Sequence, residues 1–150
     1  MKRLHLLRHA RASNGPAGSD DHARELDDRG REEAAQLATR LDQLDFAPSL
    51  VLCSSARRAV ATLECLRAQL PPQAGILIER GLYLAAHSTL LERIGSVDPF
   101  ESGLLVIAHN PGVAELANLL AANGEIERIE RMRVSFPPGS LAAFSFGPAP

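Results

Sequence analysis

Short apolar runs alternate with longer amphipathic segments over the first 124 residues of the chain. The runs lie at residues 4–7, 50–53, 76–78 and 104–108, and they have the length and composition of buried β-strands. Strands that alternate with helices favour a mostly parallel sheet with helices on both faces. We therefore predict a three-layer α/β/α fold in a single domain over residues 1–150, with residues 141–146 as an antiparallel edge strand.

The segments between the runs have helical periodicity. Apolar residues recur every three or four positions over residues 30–44, and Leu44 is the last residue of the predicted inward stripe. The serine pair at residues 54–55 is suited to cap a second helix that continues to Leu70. A third helix is predicted near residues 89–96.

The last predicted helices follow the fourth strand. Asn110 is a natural cap, Pro111 fits the first helical position, and Gly124 fits the end of this helix. Residues 125–133 are dense in charge, which fits either a short helix or a solvated connection. Their role is not assigned.

Polar side chains of one kind follow three of the predicted strands. Arg8 and His9 end the first strand, Arg58 lies in the first helical turn after the second, and His109 ends the fourth. The carboxyl ends of parallel strands meet at one edge of a sheet, where α/β proteins bind ligands. Arginine and helix N-terminal amides both bind phosphate. Because the net charge of -2 attracts no anion in general, this local cluster predicts a pocket for a small tetrahedral dianion.

Two histidines in such a pocket indicate catalysis. A neutral imidazole can attack phosphorus and form a phosphoramidate that water then hydrolyses, while arginines stabilise the transferring group. Taken singly, each histidine also fits a structural role, and Arg57 and Arg58 also fit a solvated helix face. Their joint placement favours catalysis. We predict no metal and no cofactor, because the histidines are dispersed and the Asp20-Asp21 pair lacks further ligands at a known spacing.

The cysteines and the N-terminus bear on the compartment. Cys53 and Cys65 lack the spacing of a disulfide or metal framework, so we expect both to be reduced core residues. Charged residues interrupt the first apolar run too early for a signal peptide, and no later segment approaches a membrane span. We therefore predict a cytoplasmic protein with no nucleic-acid or membrane partner.

Three motifs in this order resemble those of the histidine phosphatase superfamily, which has the phosphoglycerate mutase-like fold. They are Leu6-Leu7-Arg8-His9-Ala10, then Ser54-Ser55-Ala56-Arg57-Arg58-Ala59-Val60-Ala61-Thr62, then Val106-Ile107-Ala108-His109-Asn110-Pro111-Gly112. The short chain and the segment over residues 21–26 are similar to the SixA-type phosphohistidine phosphatase branch. The resemblance spans residues 4 to about 120.

The resemblance implies a role for individual residues. His9 would be the nucleophile, and Arg8, Arg58 and His109 would bind and polarise the phosphoryl group. Arg24 would contact the substrate. Three further residues at the strand ends or in the following loop are predicted to bind the substrate: Asn14, Ser54 and Asn110.

Two positions depart from the pattern of the superfamily. Ala10 stands where glycine is usual, so a Cβ is expected beside the phosphate. Leu84 stands where short relatives often carry a carboxylate that acts as the general acid. Glu79 is the nearest carboxylate, and it fits either an acid or a solvated charge at a strand end. A weak or absent acid suits a phosphoramidate, whose leaving imidazole is far less basic than an alkoxide.

The motifs therefore predict a metal-independent phosphatase that acts through phosphorylated His9. Protein phosphohistidine is the expected substrate, because a short chain without an insertion over the site leaves the pocket open to a protein side chain. One alternative is a phosphatase of a small phosphomonoester such as a sugar phosphate. The other is a weakly catalytic, phosphate-binding regulatory module, which Ala10 and Leu84 would favour.

Overall fold

A five-stranded sheet forms the centre of the computed structural model, which describes residues 1–147. The strand order is β3-β2-β4-β1-β5, in which β1 to β4 pair in parallel and β5 pairs antiparallel with β1. The strands are β1 (Arg3–Arg8), β2 (Leu50–Ser54), β3 (Gly75–Glu79), β4 (Gly103–Ala108) and β5 (Leu141–Ser145). The predicted parallel sheet and antiparallel edge strand are confirmed. The single domain over residues 1–150 extends past the described residues and stays a prediction.

Five helices surround the sheet among the described residues. They are α1 (Asp28–Leu41), α2 (Arg57–Leu66), α3 (His87–Gly95), α4 (Gly112–Leu120) and α5 (Ile126–Val134). Short 3₁₀ turns occur at Asp21–Ala23, Arg67–Gln69 and Arg80–Leu82. Within residues 1–147, no helix combines the length and apolar character needed to cross a membrane.

The core has one layer on each face of the sheet. Leu4 and Leu6 of β1 point to the face covered by α3 and α4, whereas Leu7 points to the face covered by α1 and α2. Successive side chains of a strand alternate between faces, so one strand contributes to both layers. Every residue of β4 is buried, as expected for a central strand of a parallel sheet covered on both sides.

Some helix boundaries differ from the predicted ones. Helix α1 ends at Leu41, and Leu44 is 60% exposed in the following turn, so its place in the inward stripe was wrong. The N-cap of α2 is Ala56, whose side chain has no acceptor, and not the predicted serine pair. The hydroxyl of Ser54 instead contacts His109 and accepts from the N–H of Ala56. The predicted end at Leu70 is reached through the 3₁₀ turn, and Leu70 is buried.

The last two helices also differ from the predicted ones in their bounds or caps. Helix α4 begins at Gly112 and has Pro111 as its N-cap, because the amide of Asn110 donates to the carbonyl of Phe136 instead of capping the helix. It ends at Leu120, before Gly124. The segment over residues 125–133 is helical, which agrees with one of the two predicted alternatives. Helix α5 has no buried residue.

Gly112 lets the start of α4 approach the segment after β3. A Cβ at this position would lie 2.0 Å from the carbonyl oxygen of Ala85, a distance no real contact has. The missing side chain therefore determines how closely the turn that follows β4 packs against residues 84–86.

We expect Gly112→Ala to lower the free energy of unfolding by about 1–3 kcal/mol, because the added methyl must push backbone apart. Urea denaturation measures the change. Gly95→Ala is the matched control: a Cβ at Gly95 meets nothing within 4 Å, so this variant should be neutral or more stable by up to about 1 kcal/mol. Equal stability of the two variants would contradict the packing argument.

Candidate active site

A cavity of about 300 Å³ lies at the carboxyl ends of β1 and β4 and at the start of α2. It is lined by Arg8, His9, Asp21, Arg24, Arg58, Leu84, His109 and Asn110. The parallel register explains the convergence, because Arg8 pairs with Ala108 and the residues that follow both strands therefore lie side by side. The predicted meeting of three strand ends is confirmed.

The ring of His9 has a defined protonation pattern. Its Nδ1 lies 2.7 Å from the carbonyl oxygen of Ala10, and because a carbonyl only accepts, Nδ1 carries the proton. Its Nε2 accepts from Nε of Arg58 at 3.2 Å. Burial is the main cause that lowers the pKa of His9 to about 4, and the charges of Arg58 and Arg8 lower it further. His9 is thus neutral near pH 7, with a lone pair on Nε2.

His109 faces His9 with ring centroids 5.0 Å apart. Its Nε2 lies 2.7 Å from the hydroxyl of Ser54. That hydroxyl already accepts from the backbone N–H of Ala56, so its own hydrogen is available to donate to His109. The Nδ1 of His109 is buried without a protein partner. Burial, followed by the nearby His9, lowers the pKa of His109 to about 3.

Three arginines supply the positive charge of the cavity. Arg58 is 3% exposed and donates to His9 and to Asp21. Arg8 donates to the carbonyl of Phe136 at 3.1 Å, while its Nε is buried without a partner. Arg24 is held by the carbonyl of Ser13 at 2.8 Å. Donors that remain unpaired beside a cavity are suited to bind the oxygens of a phosphoryl group.

Asp21 is the lining residue that the sequence analysis did not identify. Its carboxylate accepts from the hydroxyl of Tyr83, from Arg24 at 2.9 Å and from Arg58 at 3.2 Å. The Tyr83 hydroxyl, followed by Arg24, holds the pKa of Asp21 well below its usual range. With both histidines neutral, three arginines and one carboxylate leave a net charge of two positive units, which matches a phosphoryl dianion. The sequence signals for Asp21 are its spacing of three residues from Arg24 and its place at the start of the segment over residues 21–26 that resembles the SixA-type branch.

Three of the predicted site residues do not reach the cavity. Glu79 was considered as the general acid. It is the last residue of β3, an edge strand of the sheet, and Arg93 binds its carboxylate at 2.7–3.2 Å. Ser54 supports His109 from behind and is fully buried, so its assignment as a substrate contact is wrong. Asn14 is exposed in the loop after β1 and is not a lining residue.

Arg24 and Asn110, which are predicted to bind the substrate, line the cavity. Asn110 and Arg8 donate to the same carbonyl, that of Phe136, which ties the ends of β1 and β4 together. This shared acceptor lies in the segment before β5, far from both donors in sequence.

The departure at Ala10 has a structural explanation. The Ala10 side chain packs with Leu26 and Ala34 in a small apolar cluster and does not line the cavity, so the expected Cβ beside the phosphate was wrong. The backbone N–H of Ala10 donates to the hydroxyl of Thr62, and that hydroxyl donates to the carbonyl of Arg58. Thr62 therefore connects the backbone of the His9 segment to that of Arg58.

The chain is similar to known proteins in sequence and in fold. Residues 4–82 match the histidine phosphatase superfamily, branch 1. An uncharacterised protein of Mycobacterium tuberculosis is 36% identical over 138 residues, or 91% of this chain and 84% of that protein. The structure of a provisional SixA phosphohistidine phosphatase from Agrobacterium tumefaciens is 25% identical, with a TM-score of 0.84 over 96% of this chain and 91% of that one.

A more distant structure shares the fold. The protein histidine phosphatase SixA in complex with tungstate is 22% identical and has a TM-score of 0.75, over 94% of this chain and 86% of that one. These matches confirm the predicted phosphoglycerate mutase-like α/β fold.

The lowered histidine pKa values predict how stability depends on pH. Below pH 6.5 the unfolded chain binds protons at His9 and His109, whereas the folded protein binds them only near pH 4 and pH 3. The unfolded state binds more protons in this window, so stability falls as pH drops. We expect the two histidines to account for about 2–5 kcal/mol of the loss between pH 7 and pH 4.5.

Urea unfolding of the wild type and of a His9→Asn, His109→Asn double variant, in buffers without phosphate, measures this contribution. The double variant should lose much less stability over the same pH range. The same pH dependence in both proteins would show that the histidines are not held neutral.

Proposed function

Because the chain belongs to the histidine phosphatase superfamily, we propose that it hydrolyses protein phosphohistidine through a phosphorylated His9 and without a metal ion. The family and the fold identify a phosphatase-type hydrolase. The substrate and the residue roles are proposed from the geometry of the site. The observation that carries them is the unprotonated Nε2 of His9, which accepts from Arg58 inside a cavity lined by arginines.

In the first step, Nε2 of His9 attacks phosphorus. The bond between phosphorus and Nε2 forms as the bond to the leaving group breaks, and the electron pair departs with that group. The N–H of Arg58 moves from Nε2 to a phosphoryl oxygen. His9 becomes a phosphoimidazolium whose Nδ1–H remains bound to the carbonyl of Ala10.

Positive charge and fixed donors support the transferring group. Arg8, Arg24 and Arg58 neutralise the equatorial oxygens, and His109 lines the same cavity. These groups are held by protein contacts before substrate arrives, so little reorganisation is needed during the reaction.

In the second step, water attacks phosphorus and His9 departs. The electron pair of the P–N bond returns to Nε2, and because Nδ1 has kept its proton, His9 leaves as a neutral imidazole. The proton of the attacking water ends on phosphate or in solvent. Hydrolysis of the phosphoenzyme therefore requires no separate acid for the leaving imidazole.

The absence of an acid in the described lining favours a phosphoramidate substrate. Asp21 is the one carboxyl group among the lining residues of the described chain, and the Tyr83 and arginine donors keep its pKa low, so it is ionised. An alkoxide leaving group needs a proton from the enzyme, whereas an imidazole that is protonated on its other ring nitrogen does not. That the reaction takes place in the cytoplasm stays a prediction.

Trapping of the phosphoenzyme tests the mechanism. We expect a protein labelled with ³²P on histidine to transfer label to the wild type in an alkali-stable, acid-labile bond. His9→Ala should take up no label and should lose at least about 1000-fold in turnover, the scale expected when a covalent nucleophile is removed. His87→Asn, which changes an exposed histidine paired with Glu115, is the matched control and should retain labelling.

The substrate is tested by comparing kcat/KM for the phosphohistidine protein with a panel of phosphomonoesters. Preference for a phosphomonoester would overturn the substrate and favour the small-metabolite alternative. Tight binding of phosphate without turnover or labelling would favour the regulatory-module alternative. Turnover that His9→Ala leaves unchanged would overturn the mechanism.

A further inference from the structure

The guanidinium of Arg58 joins the nucleophile to a carboxylate. Its Nε donates to Nε2 of His9, while its two terminal nitrogens donate to the backbone oxygen and the carboxylate of Asp21. Asp21 thus lies across Arg58 from His9. A phosphoryl group that contacts both His9 and Arg58 extends its leaving group away from His9, because attack and departure are in line. The leaving group is therefore directed toward the side of the cavity where Asp21 lies.

The carboxylate of Asp21 has room for one more donor. An ionised carboxylate offers about four lone-pair sites. Tyr83, Arg24 and Arg58 use three of them. The Asp21 side chain is 45% exposed and lines the cavity, so a group on the substrate can reach the remaining site.

Resting on the proposed function, we propose that Asp21 is a specificity-determining residue that accepts a hydrogen bond from the distal ring N–H of the substrate phosphohistidine. This contact keeps the distal nitrogen protonated while the P–N bond breaks. The electron pair of that bond passes to the proximal ring nitrogen, the distal proton stays in place, and a neutral imidazole departs. Asp21 gains and loses no proton.

The same charge disfavours another class of substrate. A leaving group that departs as an oxyanion has no N–H to donate, and it develops negative charge beside the carboxylate. Asp21 therefore acts in opposite directions on the two substrate classes. It favours departure of imidazole and disfavours departure of a phenolate or an alkoxide.

Asp21→Asn separates these effects because it removes the charge with little change of shape. The substrates are a short peptide phosphorylated on histidine and p-nitrophenyl phosphate, whose leaving group needs no proton. We expect kcat/KM for the phosphopeptide to fall about tenfold, because a hydrogen bond to a charged acceptor is replaced by one to a neutral acceptor. The value for p-nitrophenyl phosphate should hold or rise.

Asp20→Asn is the matched control, because it removes the same charge one residue away while the asparagine side chain can still accept from the N–H of His22. It should leave both values near those of the wild type. Asp21→Ala is measured alongside, and a thermal melt of each variant confirms that it is folded. In both Asp21 variants the ratio of the two kcat/KM values should fall at least about tenfold.

An unchanged ratio in folded Asp21 variants would overturn the proposal, because Asp21 would then act only by holding Arg58 and Arg24. Failure of the proposed function gives a different result. In that case the wild type itself would neither hydrolyse the phosphopeptide nor form phosphorylated His9.

Discussion

The buried guanidinium of Arg58 is the interaction on which the rest of the site depends. A charge that is 3% exposed is costly unless its donors are paired. Three contacts meet this requirement: Nε2 of His9, the backbone oxygen of Asp21 and the Asp21 carboxylate. One contact comes from the residue that follows β1, and two come from Asp21 in the loop after it. Pairing of one cation therefore brings the end of β1 and the loop after it against the start of α2.

Burial also sets the charge state of the two histidines beside Arg58. Removal from water favours the neutral imidazoles of His9 and His109 and lowers the pKa of both. Asp21 is less buried and accepts from Tyr83 and two arginines, which favours its ionised form. The cavity thus combines two neutral imidazoles with an ionised carboxylate near pH 7. This combination suits transfer from a nitrogen to a nitrogen better than protonation of an alkoxide.

Much of the fold and half of the site could be predicted from periodicity alone. Parallel strands such as β1 and β4 are continuous apolar runs, and their carboxyl ends share one edge, so Arg8, His9 and His109 could be brought together from their positions. The errors arose where a polar side chain has several partners to choose from. Ser54 and Asn110 were interpreted as helix caps, yet they bind His109 and the carbonyl of Phe136. Glu79 was considered as an acid, yet Arg93 on α3 holds it.

The sequence by itself determined the alternation of strands and helices, the edge at which ligands bind and the pair of histidines at that edge. These follow from hydrophobic period and strand direction, which are local properties. Only the tertiary structure decided the proton position on the His9 ring, the partner of His109 and the place of Asp21 at the cavity. Those depend on hydrogen bonds between residues far apart in sequence, such as Asp21 with Tyr83 and Ser54 with His109. Residue spacing carries no record of such contacts, because they form only when segments that are far apart in sequence come together in the folded chain.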